Sequence, residues 1–76
     1  MISDRDALLA IAQRIAEAEN RVAQLRSRVE RLRNEGSDAS QAVETLQVVS
    51  RNLSNLYVRQ SQMRRTVWAW QSTKTA

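Results

Sequence analysis

The stretch Arg31-Leu32-Arg33-Asn34-Glu35-Gly36-Ser37-Asp38-Ala39-Ser40-Gln41 (RLRNEGSDASQ) decides how this chain folds. It contains the only glycine of a 76-residue sequence that has no proline. Glycine takes the left-handed conformation that ends many helices, so Gly36 marks a stop. Asp38 suits a helix N-cap, and Gln41 three residues on completes a capping box. On both sides the chain is rich in Ala, Leu, Arg, Glu and Gln, all good helix formers. Ser3 with Asp6 is a similar start signal, and Asp4 and Asp6 favour a first helical turn electrostatically. The reading is a single all-α domain over 1–76: a helix over 3–35, a turn at 36–38 and a second helix over 39–70. The tail 71–76 lacks an apolar anchor and is expected to fray.

Working outward from the turn, the apolar residues repeat in steps of three and four. The first arm gives Leu8, Ile11, Ile15, Ala18, Val22, Leu25, Val29 and Leu32. The second gives Ala39, Ala42, Leu46, Val49, Leu53, Leu56, Gln60, Met63, Val67 and Trp70, with Gln60 the only polar break. These are the a and d positions of a heptad repeat. Two such arms joined by a short turn predict an antiparallel coiled-coil hairpin. With the turn as midpoint, the layers run from Leu32/Ala39 through Val22/Val49 to Leu8/Met63. A half-heptad slip is the alternative register. Leu9, Ala12, Ala16 and Ala23 flank the first seam, and Val43 and Tyr57 the second, widening the stripe toward the broader face that bundles use. Two hairpins would then close into a four-helix bundle, so a homodimer is expected; a different protein supplying the missing helices is the competing partner.

Composition limits the chemistry. The chain has no Cys and no His, so disulfides, thiol chemistry and the commonest zinc ligands are out of reach. No glycine-rich loop is present. Glu17 with Glu19, and Glu30 with Glu35, are spaced so that their carboxylates diverge on a helix. No enzymatic activity and no cofactor are expected. No apolar run is long enough to span a membrane, and the N-terminal residues do not read as a secretory signal. The expected location is the cytoplasm.

The net charge is +4, with twelve bases against eight acids, and every base except Lys74 is Arg. Arg14, Arg21 and Arg28 recur every seventh residue on one flank of the seam (g); Arg26 and Arg33 lie on the other (e). Arg51, Arg59, Arg64 and Arg65 belong to the less balanced second arm. Two readings stay open. The arginines form a phosphate-facing stripe, or their stems cover the core edge and pair with Glu across the helices. Gln60, polar at an a position, reads as a register or oligomer determinant.

Both tryptophans fall in the stretch 64–71, RRTVWAWQ, two residues apart and so on different faces of a helix. Trp70 falls on the seam and is expected to lid the open end near Met1 and Asp4. Trp68 points away, within reach of a cation–π contact with Arg64 or Arg65. Tyr57 and Val58 add apolar surface that one seam does not require.

The run over 5–32, RDALLAIAQRIAEAENRVAQLRSRVERL, the Gly36-Ser37-Asp38 turn and the spaced leucines of the second arm resemble a loosely defined group of short, mostly uncharacterised bacterial helical-hairpin proteins. The resemblance implies a bacterial cytoplasmic protein; it carries over no catalytic residues and no established activity.

The functional expectation is a non-enzymatic protein-interaction module, a small regulator or antagonist that occludes a partner's surface. Trp68, Arg64, Arg65, Tyr57, Val58 and Arg59 would be the contact residues. The alternatives are a hairpin dimer that binds nucleic acid through Arg51, Arg59, Arg64 and Arg65, and a structural subunit of a larger assembly.

Overall fold

A computed structural model of the chain describes residues 4–74, with side chains over 4–67. Two helices pack against each other, α1 over Asp4–Asn34 and α2 over Ser40–Lys74. There is no strand among the described residues. The molecule is a rod of 62 × 17 × 16 Å. None of the described helices is long and apolar enough to cross a membrane.

The turn is built by backbone bonds and one carboxylate. Gly36 has φ of 72°, the left-handed value that the sequence anticipates. Around it the Ser37 N–H reaches back to the Leu32 carbonyl at 2.8 Å, and the Gly36 N–H to that of Arg33 at 3.1 Å. This 6→1 and 5→2 pair is a Schellman motif, which satisfies carbonyls that the end of α1 would otherwise leave bare. Asp38 opens α2, but its capping oxygen does not go to Gln41. Oδ1 accepts the Ser40 N–H at 3.0 Å and the Ser40 hydroxyl at 2.6 Å. Ser40 offers two donors two residues away, and that short Asx turn wins over the longer capping box. These bonds to the charged carboxylate hold Asp38 below its ordinary pKa.

The second helix also runs further than the sequence suggests. It continues to Lys74, past the expected end at Trp70, so residues 71–74 extend it. Gln71 to Lys74 include neither Gly nor Pro, and nothing in them interrupts the backbone ladder. Polar β-branched and hydroxyl residues within α2 are accommodated locally. Thr45, Ser54 and Thr66 each donate a side-chain hydroxyl to the carbonyl four residues back, at 3.0 to 3.2 Å. The start signal at Ser3 lies outside the described residues.

Burial follows the heptad closely. Every described seam residue is buried or half-buried, and off the seam only Ala7, Val43 and Ser50 are not exposed. The best-covered residues are Ile11, Ile15, Val22, Val29 and Val49, at 5 to 7% exposed. All five are β-branched, so their bulk lies close to the backbone, inside the seam. The leucines and Met63 branch or bend further out, reach the rim and stay half-buried. Val22 and Val49, opposite each other in the predicted layers, are buried on both sides. Residues assigned to neighbouring layers also line shared clefts, Leu25 and Leu32 with Ala42 and Ile11 with Met63, and beyond the last layer Asp4 shares one with Val67. Gln60 is half-buried on the seam. The core is nevertheless thin, since no described side chain is fully buried.

Candidate interaction surfaces

An antiparallel heptad pair has two long sides, one where e positions of the two helices meet and one where g positions meet. A bond marks the first and a shared cleft the second. On the e side the Tyr57 hydroxyl donates to Glu19 Oε1 at 2.9 Å, joining the two helices. The carboxylate favours the protonated phenol, so the Tyr57 pKa is raised. On the g side Arg14 of α1 and Arg59 of α2 line one shallow cleft with Ala7, Ala10, Ile11 and Met63.

The two sides differ in character. The e side of α1 presents Leu9, Ala12, Ala16 and Ala23, all exposed, with Leu9 at 61%. Facing them, α2 carries Val43, Gln47, Ser50, Ser54, Tyr57 and Ser61, none of them charged, and then Arg64. From Leu9 to Ala23 the ionic groups on this side are Glu19, already engaged by Tyr57, and Arg64 of α2, one heptad beyond Tyr57. Arg26 and Glu30 lie nearer the turn. The strip is therefore smooth, small-residue and nearly neutral.

The g side is cationic. Arg14, Arg21 and Arg28 follow one another along α1, with Arg31 beside them and Arg59 opposite. Arg59 also lines a cleft with Asn52, Asn55 and Leu56, and another with Gln62, Met63 and Thr66. Glu17 is the carboxylate along the middle of the shaft; at the two ends Asp4 shares a cleft with Arg59, and Asp38 shares one with Arg28, with Glu35 by the turn. Arg14, Arg21, Arg28 and Arg59 form no ion pair with another described residue. The cross-helix Arg–Glu pairing, one of the two readings of the arginines, is thus not formed by these four among the described residues. Val48 adds an exposed apolar group on this side.

The contact residues expected from the sequence do not form one patch. Tyr57 and Arg64 belong to the e side, Arg59 to the g side, and Val58 and Arg65 to the outer back of α2, as does Arg51 of the nucleic-acid alternative. Val58 is exposed, as its outward position requires. The side chains of Trp68 and Trp70 lie outside those described, and with them the lid at the open end and the cation–π contact. What sequence reading missed is the Tyr57–Glu19 bond across the e edge and the cleft that Arg14 shares with Arg59 across the g edge. The signal was available: Glu19 and Tyr57 share one heptad letter, and Arg14 and Arg59 share another.

The described residues include no buried polar or charged side chain and no cluster of His, Cys, Asp or Glu that could hold a metal ion. No family model, curated protein or solved structure matches the chain.

Proposed function

We propose that this protein is a non-enzymatic interaction module that works by laying its neutral e side against other helices, first of all those of a second copy. The observation that supports this most is surface area. The chain exposes 6426 Å², whereas a compact monomer of its 8.7 kDa exposes about 4,700 Å². The excess, about 1,700 Å² per chain, matches what each partner of an obligate dimer covers. The e side is where such cover costs least: its alanines and serines permit close helix approach, and its charges along Leu9 to Ala23 are few, Glu19 with its Tyr57 hydrogen bond and Arg64 at the edge. Two copies joined there form a four-helix bundle homodimer. A regulator or antagonist built this way acts by occlusion, covering a partner's working surface with the same strip.

Sedimentation equilibrium tests the reading. The native chain is expected at twice 8.7 kDa, and Ala16→Arg is expected at monomer mass with unchanged helicity, because Arg is nearly as good a helix former as Ala at an exposed site. Gln24→Arg, on the g side, should stay dimeric. A native chain that remains a well-folded monomer over the whole concentration range sinks the proposal.

A further inference from the structure

We infer that the g side is a binding strip for the phosphate backbone of a nucleic-acid duplex. Arg14, Arg21 and Arg28 repeat at heptad spacing, about 10.5 Å apart along a straight helix, so the row extends about 21 Å. Arg59 joins it from the other helix, in the cleft it shares with Arg14. Two guanidiniums lining one cleft repel each other, and no carboxylate lines that cleft; the nearest to Arg59 is Asp4, in the adjoining cleft at the open end. An anion placed between them removes that repulsion. Asn52 and Asn55, beside Arg59 in the neighbouring cleft, supply neutral donors suited to phosphate oxygens.

The regularity of the row favours one polyanion over another. A periodic line of cations matches a polymer whose charge also repeats along a straight axis, and a duplex offers one charge per about 1.7 Å. An acidic protein patch has no reason to share that period. No aromatic residue lies on the described g side, so there is no platform for stacking unpaired bases. The strip therefore reads backbone, not sequence, and takes double strands in preference to single ones. It lies opposite the neutral e side, so a monomer would carry it unchanged, and its failure is read separately from failure of self-association.

The test is fluorescence anisotropy of the full chain with a labelled mixed-sequence duplex, titrated at about 50 and 200 mM salt. With four phosphate contacts the affinity should fall about a hundredfold between those salts. R14Q/R21Q/R28Q should bind at least tenfold more weakly at low salt and lose most of its salt dependence. R26Q/R33Q/R51Q, which removes the same charge elsewhere, should bind like the native chain. Circular dichroism on both variants checks that the helices persist. Absence of duplex binding at low salt overturns the inference, as does an equal loss in the two triple variants. Tighter binding of single strands overturns it too. Polyglutamate binding as tightly as duplex would assign the strip to an acidic protein instead.

Discussion

The Tyr57 hydroxyl and Glu19 Oε1, 2.9 Å apart and thirty-eight residues apart in sequence, form a polar tie between the two helices. Both groups sit at e positions, so the bond ties one long edge of the hairpin while the g edge has no such tie among the described residues. The phenol is the only one in the chain, so its titration can be followed by absorbance without ambiguity. Its pKa is raised in the folded state, so the bond's contribution is fully present below the ordinary phenol pKa. It is lost as pH rises through the folded value. Glu19→Gln is expected to bring the phenolate transition back toward that of free tyrosine. Tyr57→Phe should lower the melting temperature at neutral pH and bring it close to that of the native chain at strongly alkaline pH. An identical phenolate curve for native and Glu19→Gln would show that the bond does not persist in solution.

The Val22/Val49 layer has both members buried, at 6 and 7% exposed. An ionised carboxylate there has no water and no partner. Val22→Asp should abolish the cooperative helical melt. Leu25→Asp, at a half-buried rim position, should weaken the hairpin without abolishing it. Leu9→Ala, at the exposed edge, should change monomer stability by no more than about 0.5 kcal/mol. Circular dichroism melts of the three variants give the ranking. If Leu25→Asp proves more damaging than Val22→Asp, the layer assignment fails.

At the turn, Gly36 is required by backbone angle and not by space. A Cβ built there meets no atom within 4 Å, yet φ is positive. Gly36→Ala should destabilise by about 1 kcal/mol, the usual penalty for an L-residue in this region, and Gly36→Asn by less. A synthetic chain with D-alanine at 36 should melt above the native one, because the mirror-image residue favours this angle and narrows the unfolded ensemble. A D-alanine chain that melts lower would mean the turn differs from the one described.

How far the sequence could be read differs by scale. The hairpin was legible because one glycine interrupts an otherwise unbroken heptad, and the burial of Ile11, Ile15, Val22, Val29 and Val49 falls on that heptad. Which oxygen caps α2 was not legible, because Gln41 and Ser40 both offered donors and only local geometry chose Ser40. The end of α2 was not legible either: residues 71–74 carry no apolar signal, yet helix needs only the absence of a breaker to continue. The candidate contact set, Trp68, Arg64, Arg65, Tyr57, Val58 and Arg59, follows residue type along one end of α2, whereas a helix turns about 100° per residue and deals such neighbours to different sides.

The Schellman turn at Gly36, closed by backbone bonds and the Asp38 carboxylate, also sets the order in which the molecule comes together. Closing so short a loop forfeits little chain entropy, and each successive layer then adds next to one already formed. The hairpin therefore assembles like a zip fastener from its closed end. The same geometry makes the free ends the first to part. Amide exchange should slow progressively from the open end toward residues 29–42, making the turn the anchorage that holds its partner helices in step.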